Sequence, residues 1–87
     1  MREGNPMNKA ADILAALGGA ENVEELEPCI TRLRVKVTEV EHLDDDALRA
    51  AGALGVIRSG RIIQVVVGPE ADTLAADIDA LRPWPGR

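Results

Sequence analysis

The chain has 87 residues, enough for one small domain but too few to enclose a deep ligand cavity. It has no Phe or Tyr and a single Trp, so its core must be built from Val, Ile, Leu and Ala. Fifteen acids against ten bases give a formal charge of −5, which argues against a general nucleic-acid binder. A single cysteine rules out an internal disulfide and points to a reducing compartment. No apolar run approaches the ~18–20 residues of a membrane span, and the N-terminus carries no signal-peptide core, so a cytoplasmic location is expected. A shallow surface site completed by a partner fits a chain of this size.

Asn5-Pro6 reads as an N-cap followed by proline at the first helical position. Met7, Ala10, Ala11, Leu14 and Leu17 then recur at helical spacing, and Gly18-Gly19 ends the helix. Residues 23–29 read either as a short first strand or as an irregular lead-in, with Pro28 confined to its edge or end. Residues 31–38 alternate cleanly. Leu33, Val35 and Val37 take one face, and Arg32, Arg34, Lys36 and Thr38 the other, as in a half-buried strand. Leu43 before Asp44-Asp45-Asp46 gives a hydrophobic staple, an N-cap and acids in the first turn of a short helix. That helix runs through Leu48 to about Ala51 and stops at Gly52.

Residues 55–68 read as a β-hairpin turning at Arg58-Ser59-Gly60-Arg61. Gly68-Pro69 opens a last helix with the apolar stripe Ala71, Leu74, Ala75, Ile78 and Leu81, closed by Arg82-Pro83. Residues 1–6 form a lead-in, 7–82 a single domain and 83–87 a flexible tail. The expected fold is α+β: an open-faced sandwich, its four-stranded, mainly antiparallel sheet carrying three helices on one face. The other face is expected to be solvated, in keeping with the polar side of strand 31–38.

The chemistry concentrates at Cys29-Ile30-Thr31-Arg32-Leu33-Arg34. Residues 21–27 carry four acids and 39–46 carry five, whereas 28–37 hold Arg32, Arg34 and Lys36 and no acid. A positive island in an acidic protein suits the capture of a small anion. Thiolate is the nucleophilic form of cysteine, and nearby cations favour it. Arginine is the side chain best fitted to hold a phosphoryl group through paired hydrogen bonds. Arg32 and Arg34, two residues apart on one strand face, make a clamp in which a dianion offsets their mutual repulsion. The amides of Ile30 and Thr31 can form a backbone nest for the same anion, and the Thr31 hydroxyl can add a donor. Phosphoryl transfer needs little else, because it rests on positioning and charge stabilisation.

Blander readings stand beside this one. A free cysteine is more often a small buried hydrophobe, and a basic strand face is more often simply solvated. Gly52, Gly55 and Gly60 fit no phosphate-cradling or dinucleotide fingerprint and read as helix-stop and hairpin glycines. One His and one Cys give no metal site, and the three aspartates at 44–46 read as a helix cap. His42 reads as solvated surface. Arg58 and Arg61 either extend the basic surface or merely solubilise a hairpin tip. Gln64 sits on a strand without a role that sequence supplies.

The run from Cys29 to Arg34 resembles the phosphorylation-site motif of the glucose/N-acetylglucosamine-type enzyme IIB domain of the bacterial phosphoenolpyruvate-dependent sugar phosphotransferase system. The likeness extends to Asn22-Val23 before the cysteine. It resumes at Leu48, Gly52, Ala53 and Gly55-Val56, then runs through Gly60, Gln64 and Gly68 into the last helix, so that it spans roughly residues 7 to 82. It implies that Cys29 accepts a phosphoryl group from a phosphohistidine on a IIA partner. Cys29 then passes that group to a sugar held by a membrane IIC partner. It implies that Arg32 and Arg34 matter most in the second transfer and that the step uses no metal or nucleotide cofactor. Many members of that family are fused to IIC or IIA segments, and this sequence shows neither, so a free-standing monomeric subunit working at the inner membrane face through IIC is expected. Glucose, N-acetylglucosamine, glucosamine, sucrose and β-glucosides all stay open as the sugar, with N-acetylglucosamine or glucose favoured. A regulatory module that signals by phosphorylation and docking is the alternative. A thiol redox sensor is disfavoured because the chain has no second cysteine to resolve a disulfide.

Overall fold

A computed structural model of the chain describes residues 6–81. Its elements run in the expected order. They are α1 (Pro6–Ala16), β1 (Val23–Cys29), β2 (Arg32–Val37), α2 (Asp45–Ala50), β3 (Gly55–Ser59), β4 (Ile62–Val66) and α3 (Ala71–Leu81). Short 3₁₀ turns at Ala20–Asn22, Val40–His42 and Gly68–Glu70 precede β1, α2 and α3, and the sequence gives no periodic signal for them. Asn5, the side chain of Met7, Arg82-Pro83 and the tail lie outside the described residues.

The four strands form one antiparallel sheet in the order β1-β2-β4-β3. Its inner face is set by the period of two in β2 and β4. Leu33, Val35, Val37, Ile63 and Val65 are all fully buried. They pack beneath Ala10, Ile13, Leu14 and Leu17 of α1, Leu48 of α2 and Ala71, Leu74, Ala75 and Ile78 of α3. α1 lies between α2 and α3, so all three helices cover one face of the sheet. Two helical expectations shift. Ala11 is exposed while Ile13 is buried, and Leu81 lies only partly covered at the end of its stripe.

The ambiguous stretch 23–29 is a true strand with a bulge. Val23 pairs with Val37 and Glu25 with Lys36, which leaves Glu24 as an extra residue on β1. The bulge explains why the segment reads poorly, since Val23 and Leu26, three apart, both face the core. Pro28 is tolerated because β1 is an edge strand.

Asn22 is the one buried polar residue among the described ones, 4% exposed. Its side-chain amide donates to the carbonyls of Leu17 (2.8 Å) and Glu39 (3.0 Å) and accepts from the Glu39 amide (2.8 Å). It thereby ties the end of α1 to the far end of β2. Gly18, at φ +105°, makes room for this clamp: a Cβ there would lie 2.6 Å from the Asn22 amide nitrogen. Asp44 caps α2 as read from sequence, accepting from the Ala47 amide at 3.0 Å.

Candidate functional site

Cys29 is the last residue of β1 and is exposed, which removes the reading of a buried structural thiol. Ile30 and Thr31 alone connect β1 to β2, and Cys29 pairs directly with Arg32 across the hairpin. Directly opposite residues of an antiparallel pair share a face with Cβ atoms ~4.5–5.5 Å apart, so thiol and guanidinium stem are neighbours. Ile30 takes φ +61°, an uncommon conformation for a β-branched residue and one ordinarily left to glycine at a hairpin turn. The chain holds that geometry through Thr31, whose carbonyl accepts from the amides of both Val67 and Gly68 at 2.9 Å. The amides of Ile30 and Thr31 themselves have no backbone acceptor among the described residues.

The uncovered sheet face is laid out in cross-strand rows. One row is Cys29, Arg32, Val66 and Gly55; the next is Glu27, Arg34, Gln64 and Ile57. Arg32 donates to the Gln64 side-chain oxygen at 2.7 Å. Arg34 has no side-chain partner among the described residues, and Glu27 opposite it forms no ion pair.

The remaining cations are mostly neutralised. Arg58 pairs with Asp45 (2.6 Å), Arg61 (3.3 Å) and Lys36 (3.9 Å) with Glu24, and Lys9 with Glu70 (3.1 Å). Arg58 and Arg61 therefore do not extend the basic surface; the carboxylates of α2 and of the β1 bulge engage them. Among the described residues only Arg32, Arg34 and Arg49 stay outside ion pairs, and the first two sit beside the thiol. The positive island of the sequence thus narrows to the two residues that flank Cys29. Two exposed apolar side chains rim the same end of the sheet. Ile30 is 86% exposed, and Leu54, 72% exposed, is anchored to Val66 by its amide (2.7 Å).

Three contributions have no role legible in the sequence. Gln64 enters only through the family likeness and as a polar interruption of an apolar strand, and its partner depends on the register of β2 with β4. The Thr31 carbonyl carries no side-chain signal. Asn22 stands in an ordinary connection, and its burial comes from elements on either side of it. No group of three or more His, Cys, Asp or Glu side chains placed to hold a metal ion occurs among the described residues.

A small open-faced α+β protein presenting one thiol beside two guanidiniums that carboxylates leave unpaired has the chemistry of proteins that handle phosphoryl groups. The comparisons with known proteins agree. A family model described as phosphotransferase system, EIIB, matches residues 11–44. The chain is 50% identical over 72 residues to the N-acetylglucosamine-specific EIIB component of a phosphotransferase system from Streptomyces coelicolor, covering 83% of this chain and 94% of that protein. It is 57% identical over 61 residues to an alpha-glucoside-specific EIICB component from Leptotrichia buccalis, covering 69% of this chain and 12% of that much longer protein. Among solved structures, one domain of a phosphotransferase-system IIabc component from Clostridium difficile superposes with a TM-score of 0.73 at 26% identity, covering 88% of this chain and 83% of that one. The chain belongs to the EIIB family of the phosphotransferase system and is a IIB component of sugar phosphotransfer.

Proposed function

We propose that this chain is the phosphoryl-carrying subunit of a sugar uptake system and that Cys29 bears the group between two partners. The observation that carries the reading is an exposed thiol set directly opposite Arg32, with Arg34 two residues further along the same face, while Lys36, Arg58 and Arg61 elsewhere on the sheet are engaged by carboxylates. In the first transfer the Cys29 thiolate attacks phosphorus on a phosphohistidine of a IIA partner. The P–N bond breaks as the P–S bond forms, and the departing imidazole nitrogen keeps the electron pair. In the second, a hydroxyl of a sugar bound by a membrane IIC partner attacks the phosphocysteine. The P–O bond forms as P–S breaks, sulfur leaves as thiolate, and the hydroxyl proton passes to a base or water of the IIC site. Arg32 and Arg34 stabilise charge on the equatorial oxygens, with the amides of Ile30 and Thr31 and the Thr31 hydroxyl as further donors.

Ile30 and Leu54 form the apolar rim on which a partner docks over the thiol. The relative named as an EIICB component, which by its name joins IIC and IIB parts, supports a IIC partner for this chain. The relative named for N-acetylglucosamine supports that sugar. The functional unit spans residues 7–82 and acts as a monomer docked on IIC at the inner membrane face. Among the described residues no helix is long and apolar enough to cross a membrane.

The test is direct. Incubation with phosphorylated IIA adds one phosphoryl group to the mass of the protein, and Cys29→Ser abolishes the addition. Membranes containing IIC then discharge the group onto sugar. Failure to label overturns the reading, and labelling without onward transfer favours a regulatory module instead.

A further inference from the structure

Two adjacent guanidiniums on an open sheet face repel and, left alone, spread apart. Arg32 is not left alone. Its terminal nitrogen donates to the Gln64 side-chain oxygen at 2.7 Å, and Gln64 stands directly opposite Arg34, not Arg32. The bond is therefore diagonal, and it draws the Arg32 guanidinium toward the row that holds Arg34. We infer that Gln64 is a positioning residue that gathers the Arg32 and Arg34 guanidiniums into one dianion clamp beside Cys29. This inference rests on the phosphocysteine reading above.

The choice of an amide follows from electrostatics. A carboxylate in place of Gln64 also holds Arg32, but neutralises it, as Glu24 does to Arg61 and Asp45 to Arg58. A neutral acceptor fixes the guanidinium while leaving its full charge for the anion. Four of the five guanidinium N–H donors of Arg32 also remain after one is given to Gln64. Gln64 is half-buried on a sheet strand, flanked by Arg34 on one side and Ile57 on the other, so its own position is set by the ladder. Gathering charge in this way serves the step in which the phosphoryl group leaves sulfur, because negative charge then spreads over its oxygens.

The test uses Gln64→Met, which keeps length and removes the acceptor, and Gln64→Glu, which keeps the acceptor and adds charge. With phosphorylated IIA and IIC membranes, Gln64→Met is expected to lower kcat for sugar phosphorylation about tenfold, the effect of one charge-assisted hydrogen bond, with KM for sugar unchanged. Arg32→Lys combined with Gln64→Met is expected to be no worse than Arg32→Lys alone, because Gln64 acts only through Arg32.

A second readout needs no phosphoryl transfer. Cys29 is alkylated with anionic iodoacetate and with neutral iodoacetamide, and the rate ratio reports the positive potential at sulfur. Gln64→Glu is expected to lower that ratio about threefold, the effect of one opposing charge several ångströms away in water, and Gln64→Met to lower it less. Gln64→Met adds no charge, so in that variant a purely structural role would change both reagents equally and leave the ratio at the wild-type value, which decides against the inference. A wild-type ratio in both variants, or fully additive kcat losses in the double variant, overturns the inference. Should wild-type protein never label at Cys29, the carrier reading fails, and the alkylation ratio still decides whether Gln64 gathers the clamp.

Discussion

Ile30 offers a test that separates stability from function. A β-branched residue at φ +61° stores about 1–2 kcal/mol of backbone strain. Being 86% exposed, its side chain recovers only about 0.2–0.4 kcal/mol of the ~1.5–3 kcal/mol that full burial yields. Asparagine tolerates this conformation and has little apolar surface to lose. Ile30→Asn is therefore expected to stabilise the isolated protein by about 1 kcal/mol, which for a domain of this size raises Tm by about 4–8 °C. Urea unfolding followed by circular dichroism, with an unchanged m-value, measures this. The same substitution removes the apolar anchor beside Cys29. Burying most of an isoleucine against a partner is worth on the order of tenfold in affinity, so the KM for phosphorylated IIA should rise about tenfold. Ile30→Val keeps the strain and most of the anchor, and should leave both quantities near wild type. A loss of more than about 1 kcal/mol in Ile30→Asn would refute the strain argument. A more stable Ile30→Asn that is charged with wild-type KM would refute the docking role.

Other predictions concern the clamp and the scaffold. Arg34→Lys should leave Cys29 chargeable by phosphorylated IIA but slow sugar phosphorylation by about 10²-fold, because a point charge replaces a fork of donors; equal loss in both half-reactions, followed by mass spectrometry and labelled sugar, contradicts that. Asn22→Ala orphans the Leu17 carbonyl and the Glu39 amide and takes one of two donors from the Glu39 carbonyl, which keeps the His42 amide, and should cost about 2–3 kcal/mol in urea unfolding. A cost below ~1 kcal/mol would mean that water replaces the clamp. Gly18→Ala, at φ +105° and with its Cβ 2.6 Å from the Asn22 amide nitrogen, should cost about 1–3 kcal/mol. In the Asn22→Ala background that cost should fall only in part, since the 2.6 Å contact goes while those at 2.9 Å to the Cβ atoms of position 22 and of His42 remain.

Much of the fold is legible along the chain because its signals are local. The period of two in Leu33, Val35 and Val37 names the buried face of β2 without reference to any other strand. The Gly18-Gly19 stop and the Asp44 cap depend on backbone groups a few residues away. The run from Cys29 to Arg34 likewise carries its thiol and both guanidiniums within six residues, so the candidate site could be named before any packing was known. The β1 bulge marks where this local reading stops, because a single extra residue breaks the alternation and only pairing with β2 reveals it.

What tertiary structure alone decides is which charges remain available and how they are held. Arg58 and Arg61 look as basic in sequence as Arg32 and Arg34, yet Asp45 and Glu24, 13 and 37 residues away along the chain, neutralise them. Gln64 meets Arg32 across 32 residues, and the Thr31 carbonyl is bound by amides of Val67 and Gly68. Sequence states residue types and local periods, which suffice for elements and for a nucleophile beside cations. Electrostatic partnership falls off with distance in space, so it exists only once register and packing have brought distant residues within a few ångströms.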